Sequence, residues 1–174
     1  FERAGWFDCS CCPGNVARFM PTPPGYIYSY SDDGINVNLF IGSEAKLTGA
    51  FGSVSVRQLT DFPWNGIVKI KIDPEKDNSH FRIRIRIPAW TGNEPFAGGL
   101  YHFVTPESNM TIIKVNGRRA AVRIDKGFAV IDRRWKKGDR VVLELPLQPR
   151  FIAASDEVMA DIGRITLGMG PFVY

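Results

Sequence analysis

The sequence predicts a mainly β protein, an antiparallel β-sandwich or jelly roll, with a short helical segment before it. Short segments that alternate apolar and polar residues recur along the chain, and Gly, Asn, Asp and Pro clusters separate them. No amphipathic segment long enough for a crossover helix lies between these segments, which argues against a parallel βαβ fold. The 174 residues are 44% hydrophobic and 12% aromatic, which is enough to build a core and excludes a disordered chain.

The chain opens with a segment of helical character. Pro13 stands at a suitable position for a helix start, and residues 15–20 are expected to form a short helix. Pro21, Pro23 and Pro24 then end it.

The remainder has the pattern of short strands. Residues 73–78 are polar and predict a hairpin loop, and residues 90–110 predict an irregular surface loop. Asn116-Gly117 predicts a two-residue type I′ turn, in which both residues need a positive φ. We expect strands at 26–30, 35–41, 54–59, 67–72, 81–87, 111–115, 120–124, 128–132, 140–145, 162–167 and 172–174.

The net charge of +4 is mild and gives no reason to expect a nucleic-acid partner. Arg82, Arg84 and Arg86 alternate with apolar residues, which predicts a solvated outer strand face over a buried inner face rather than a polyanion-binding stripe. A second basic group at 133–137 surrounds Trp135 and leads into a turn between strands. No run approaches the roughly 18 apolar residues that span a bilayer, so we expect no membrane partner.

The three cysteines, Cys9, Cys11 and Cys12, lie within four positions. Cysteines that form stabilising disulfides are usually distributed along the chain, and adjacent cysteines rarely form a disulfide with each other. The cluster is therefore not expected to stabilise the fold through disulfides. Three interpretations stay open. The thiols bind a metal such as zinc, with Asp8 or a distant residue completing the shell; they are small side chains that pack beside a helix start; or one is a nucleophile whose thiolate the helix amides favour.

The segment around these cysteines, residues 6–19, resembles the Cys-Cys-Pro-Pro-Asn-Ile-Ala-Arg segment of glycoside hydrolase family 127, the β-L-arabinofuranosidase family. An ordered series of further segments is also similar to this family, and together they cover essentially the whole chain. These segments are 24–28 (PGYIY), 36–41 (NVNLFI), 62–66 (FPWNG), 86–90 (RIPAW), 115–117 (VNG), 126–128 (KGF), 135–139 (WKKGD) and 163–174.

The resemblance implies the domain organisation. The family has an (α/α)6 barrel followed by β-sandwich domains, and its Cys-Cys motif lies near the end of the barrel. Residues 1–25 would then be the last barrel segment, and 26–174 the β-sandwich region. The chain would be the C-terminal part of a longer parent that contains most of the barrel, and we expect this part alone to be inactive.

The resemblance also implies the chemistry. Cys11 would be the nucleophile of a retaining glycosidase acting on plant-type glycans, and it would contact Zn²⁺, while Cys12 would be a zinc ligand. The other zinc ligands and the general acid/base would lie upstream, so the shell is incomplete in this chain. Cys9 stays unassigned, with a buried bystander as the favoured interpretation.

The alternative function is a non-catalytic carbohydrate-binding or structural β-sandwich module. His80 and His102 are expected to be surface residues and not metal ligands. Four aromatic residues are candidates to stack on sugar rings, although core packing is the favoured role for them. These are Trp64, Trp90, Trp135 and Tyr101.

The expected partners are an oligosaccharide or glycan substrate and the missing barrel of the parent. A second copy of the chain, in a homodimer, is a further candidate. The compartment stays open between a bacterial cytoplasm and periplasm.

Overall fold

The structure, a computed structural model, describes residues 11–106 and 111–174. Two short helices come first, α1 (Cys11–Phe19) and α2 (Pro24–Ile27), and strands make up most of the rest. The strands are β1 Tyr28–Ser31, β2 Gly34–Val37, β3 Ser43–Gly49, β4 Gly52–Thr60, β5 Ile67–Pro74, β6 Ser79–Arg86, β7 Tyr101–Phe103, β8 Ile112–Val115, β9 Arg118–Arg119, β10 Arg123–Asp125, β11 Phe128–Trp135, β12 Asp139–Glu144, β13 Pro149–Ala154, β14 Ile165–Met169 and β15 Phe172–Val173. Within these ranges no helix is both long and apolar enough to cross a membrane.

The strands form three sheets. The first has the order β1-β2-β6-β11-β10, the second β3-β4-β5-β12-β8-β9, and the third β15-β14-β13-β7. The antiparallel expectation is confirmed for most neighbours, but β2 and β6 pair in parallel. The chain leaves the first sheet after β2 and returns to it as β6, so no tight turn forces these two strands into opposite directions.

The first two sheets enclose one hydrophobic core. On β5 the side chains of Val68, Ile70 and Ile72 are at most 1% exposed, and the intervening residues face outward. The same alternation on β6 buries Phe81 and Ile83, as the sequence predicts. Because side chains on a strand alternate between its faces, each sheet can contribute one apolar face to this core and one polar face to solvent.

The polar segment after β5 does not form the hairpin that its composition predicts. Strand β5 pairs with β4 and β12 in the second sheet, whereas β6 pairs with β2 and β11 in the first. The loop therefore crosses from one sheet to the other. The loop between β11 and β12 also connects the first sheet to the second, and the two loops are hydrogen-bonded to each other. Asp73 Oδ1 accepts from the Gly138 amide at 2.8 Å, and Asp77 Oδ1 accepts from the Lys137 amide at 2.8 Å.

The Asn-Gly turn is confirmed. Asn116 and Gly117 have φ values of 51° and 79°, and they connect β8 to β9. The Asn116 side chain adds two contacts: its Nδ2 donates to Asp139 Oδ1 at 2.8 Å, and its Oδ1 accepts from the Arg140 amide at 2.9 Å. The strand expected at 120–124 is present only as its last two residues, because residues 120–122 lie in no strand and β10 begins at Arg123. β10 joins the first sheet, whereas the preceding β9 stays in the second.

Other departures concern strands with weak local signals. The structure adds β3, an edge strand whose side chains alternate between half-buried and exposed, together with β7 and β13. Strand β7 lies inside the stretch expected to be irregular. The strand expected over 35–41 ends at Val37, and Tyr26 belongs to α2. Strands β3, β7 and β13 carry no long apolar alternation, so only their partners define them as strands.

Candidate functional site

The paired thiols stand at the start of α1. Cys11 and Cys12 are its first two described residues, so the helix already includes the two positions before Pro13, where the sequence places its start. Both cysteines are exposed, and their Sγ atoms lie 3.7 Å apart.

The separation of the two sulfurs can be compared with the spacing that a zinc site requires. Two thiolates on a tetrahedral zinc, each about 2.3 Å from the metal, are about 3.8 Å apart. The 3.7 Å between Cys11 and Cys12 fits two corners of such a site. Within 11–106 and 111–174, no group of three or more His, Cys, Asp or Glu side chains is arranged to hold a metal ion. Cys9 and Asp8 lie outside the described residues. The donor set therefore fits half of a zinc shell.

Helix α1 lacks a packing surface of its own among the described residues. None of its side chains is buried, and the apolar side chains of Val16 and Phe19 are 59% and 63% exposed. Met20, just after the helix, is 66% exposed. A helix of nine residues is marginal in water without packing on an apolar face. The described residues therefore give this helix little tertiary support.

The arginine face of β6 is neutralised by two carboxylates. Asp33 accepts hydrogen bonds from Arg84 and Arg82, and Asp132 accepts from Arg82 Nε at 2.8 Å. The hydrogen bond from Arg84 holds the pKa of Asp33 well below its usual range, with contributions from Ser31 and Arg82. The positive charges are thus largely paired within the sheet, which agrees with the prediction of a solvated outer face.

The two histidines lie on the surface, as predicted. The His80 side chain is 59% exposed, and its Nε2 lies 2.9 Å from Asp132 Oδ1. His102 is an exposed residue of β7. No metal-binding cluster in the described part of the chain includes either of them.

The four candidate sugar-stacking residues have different environments. Trp135 is completely buried, and its indole Nε1 donates to the Phe81 carbonyl at 2.9 Å, so it is a core residue. Tyr101 is half-buried and donates its hydroxyl to Asp161 at 3.2 Å, which raises the pKa of Tyr101. Trp64, by contrast, is 79% exposed, and Trp90 lines a cavity.

This cavity, of about 230 Å³, lies beside the third sheet. Aromatic side chains form much of its wall, and Gln148 and Arg150 add polar atoms. The aromatic lining residues are Trp90, Phe96, Phe103 and Phe172. The sequence does not predict this cavity, because its walls come from segments that meet only when β7 pairs with β13.

Comparison with known proteins identifies the family. The family model described as "Beta-L-arabinofuranosidase, GH127 middle domain" matches residues 34–147. The non-reducing end β-L-arabinofuranosidase of Bifidobacterium longum subsp. longum is 30% identical over 177 aligned positions, which cover 99% of this chain and 24% of the relative. A solved GH127 β-arabinofuranosidase has a TM-score of 0.90 and 36% identity over 99% of this chain and 27% of its own. The GH127 β-L-arabinofuranosidase from Geobacillus stearothermophilus T6 has a TM-score of 0.81 and 32% identity over 98% of this chain and 24% of its own.

These matches place the chain among proteins related to glycoside hydrolases. The chain belongs to the GH127 β-L-arabinofuranosidase family, and residues 34–147 match the model of the family's middle domain. That range runs from the start of β2 to just beyond β12, so it contains nearly all of the two sheets around the common core. The chain spans about a quarter of the length of the relatives that it matches.

Proposed function

We propose that this chain is the part of a retaining GH127 glycoside hydrolase that carries its cysteine nucleophile, with a β-L-arabinofuranoside of a plant-type glycan as substrate. Cys11 is the nucleophile. The observation that carries the proposal is the pair of adjacent thiols on α1, with their sulfur atoms 3.7 Å apart, in a chain that belongs to this family. The general acid/base lies elsewhere in the parent protein.

Cys11 and Cys12 would supply two of the four ligands of a zinc ion, and the separation of their sulfurs supports this assignment. Bound zinc would keep both thiols deprotonated and oriented. The two remaining ligands come from residues outside the described part of the chain. Zinc is compatible with a nucleophilic role for Cys11, because the thiolate is both the ligand form and the reactive form of the side chain.

In the proposed reaction, the Cys11 thiolate attacks the anomeric carbon of the furanosyl unit. The glycosidic C–O bond breaks, and a carboxylic acid of the parent protein protonates the leaving oxygen. The carboxylate then takes a proton from water, the water oxygen attacks the same carbon, and the C–S bond breaks to regenerate the thiolate. Two displacements at one carbon retain its configuration, as in retaining enzymes with two carboxylates.

Further tertiary support for α1 would come from the (α/α)6 barrel. We propose that residues 1–25 are its last segment and that the exposed apolar side chains around Phe19 pack against the other barrel helices. The proposed β-sandwich region is residues 26–174, and the crossings between its first two sheets, such as that between β5 and β6, support the jelly-roll description. The homodimer stays a prediction.

The test is covalent labelling of the parent protein with a mechanism-based arabinofuranosyl inhibitor, followed by peptide mass spectrometry. We expect the label on Cys11. The Cys11→Ser variant should lose hydrolysis of an aryl β-L-arabinofuranoside by at least about 10³-fold, because the nucleophile is removed. Cys9→Ser is the matched control from the same cluster and should keep most of its activity. The 174-residue chain by itself should give no turnover.

A label on a carboxylate, or wild-type turnover by Cys11→Ser, would refute the role of Cys11. Turnover by the 174-residue chain would show that its own residues supply the acid/base. Zinc analysis of Cys12→Ser provides a readout besides activity. We expect a lower zinc content in this variant than in Cys9→Ser, and equal contents would contradict the assignment of Cys12.

A further inference from the structure

An exposed indole lies against an aromatic ring of the third sheet. The Trp64 side chain is 79% exposed, and its ring stacks on Phe172 with a centroid separation of 5.0 Å and an interplanar angle of 25°. Its backbone amide donates to the Asp61 carbonyl at 2.9 Å. Tryptophan side chains usually contribute to stability by being buried. An indole that is held in place and yet open to solvent is therefore suited to binding a ligand on its free face.

The same phenylalanine continues the aromatic surface inward. Phe172 lines the cavity of about 230 Å³, together with Trp90, Phe96 and Phe103. Trp90 in turn stacks on Phe62 at 6.5 Å between ring centroids. An aromatic surface therefore runs from exposed Trp64, past Phe172, into a concave site. Such a surface suits a ligand made of several linked sugar rings, because the face of a sugar ring carries C–H groups that stack on aromatic side chains.

The charges of the site favour a neutral ligand. None of the described residues that line the cavity is Asp or Glu. Arg150 is committed to the protein: Nη1 donates to the Gly92 carbonyl at 2.7 Å, Nη2 donates to the Thr105 carbonyl at 3.2 Å, and the guanidinium lies 3.4 Å from the Phe103 ring centroid. Its Nε is buried and has no hydrogen-bond partner among the described residues. The guanidinium therefore holds the cavity wall and is not open to a ligand carboxylate.

A saccharide satisfies these conditions better than an apolar peptide side chain. The C–H face of a sugar ring stacks on aromatic rings, and its hydroxyls find polar atoms at the rim, where Gln148 is exposed. The choice of a saccharide also rests on the proposed function, since the parent of this chain would act on glycans.

We propose that Trp64, Phe172 and the adjoining cavity form a binding site for a neutral oligosaccharide, in which one sugar ring stacks on Trp64 and the next enters the cavity. Neither Cys11 nor Cys12 takes part in this binding. The site gives residues 26–174 a ligand of their own.

The test is an NMR titration of the 174-residue chain with a trisaccharide of L-arabinofuranose units, with xylotriose and galacturonic acid as comparison probes. We expect the arabinose trisaccharide to shift the Trp64 indole signal and the Phe172 amide, with a Kd of roughly 1 mM or below. Galacturonic acid should bind no more tightly than a neutral monosaccharide, because Arg150 is not available.

Two variants and a control make the test specific. Trp64→Ala should weaken binding about tenfold, as expected for the loss of one stacking platform, while Trp64→Phe should keep most of it. Tyr30→Ala is the matched control, because Tyr30 is an aromatic residue that is 56% exposed and contacts Phe51 at a different place. This control should bind like the wild type.

The inference is overturned if no probe shifts the Trp64 signal at about ten times the expected Kd, or if Trp64→Ala binds as well as Tyr30→Ala. A titration of Cys11→Ser in the same chain distinguishes this inference from the proposed function. Equal binding by Cys11→Ser and the wild type supports a site independent of the thiols, whatever the labelling experiment finds. Loss of binding in Cys11→Ser contradicts it.

Discussion

Replacement of Trp135 by phenylalanine tests whether this indole belongs to the core rather than to a ligand site. Trp135 is completely buried, stacks on Phe81 at 5.9 Å between ring centroids, and donates its Nε1 hydrogen to the Phe81 carbonyl. The smaller ring leaves a cavity of roughly 40 Å³, which costs about 1 kcal/mol. Lost burial of apolar atoms costs about another 1 kcal/mol. Loss of the hydrogen bond adds about 0.5–1.5 kcal/mol.

We therefore expect Trp135→Phe to lower the free energy of unfolding by about 2.5–3.5 kcal/mol, which corresponds to a decrease in Tm of about 5–14 °C for a chain of this size. Urea denaturation followed by circular dichroism measures the first quantity, and calorimetry the second. The matched control is Trp64→Phe, which changes the same side chain at an exposed position and should stay within about 0.5 kcal/mol of the wild type. A loss below about 1 kcal/mol for Trp135→Phe, or one equal to that of the control, would refute the core assignment.

Two further predictions concern the charged face and the Asn-Gly turn. The pKa of Asp33 is lowered in the folded state, mainly by the hydrogen bond from Arg84, so its stabilisation is present above the ordinary carboxyl range and is lost as the pH falls below it. The difference in Tm between the wild type and Asp33→Asn should therefore be largest near neutral pH and should close on acidification; a constant difference would contradict this. Gly117 has a φ of 79°, so Gly117→Ala should cost about 1 kcal/mol in chemical denaturation. The control Gly25→Ala, in α2 with no atom within 4 Å of the added carbon, should cost nothing; equal effects of the two would exclude backbone strain as the cause.

The sequence predicted the features that depend on neighbouring residues. Alternation at 81–87 is enough to orient Arg82 outward and Ile83 inward, because successive side chains of a strand point to opposite faces. The conformations of Asn116 and Gly117 follow from their tolerance of positive φ. The Cys-Cys-Pro motif is contiguous, so the family could be identified from residues that the chain itself holds together, and the comparisons confirm that family.

Strand partners depended on the tertiary structure. The polar loop after β5 has the composition of a hairpin, yet it crosses between sheets because both flanking strands must turn their apolar faces toward one core. The parallel neighbours β2 and β6 are separated in sequence by three strands of another sheet. Edge strand β3 has only weak alternation and is defined by its pairing with β4. Local sequence patterns do not predict which distant segments will pair as strands.

The sequence by itself determined that the chain is mainly β, that its cysteines lie together and which family it resembles, since these follow from short-range patterns and a contiguous motif. Only the tertiary structure decided which tryptophan side chain is buried and which is exposed. The local sequences around Trp135 and Trp64 do not distinguish the two residues. In the structure Trp135 is buried between two sheets, whereas Trp64 is exposed and stacks on Phe172. Burial is a property of the packed chain, because it depends on segments that are distant in sequence and meet only when the sheets assemble.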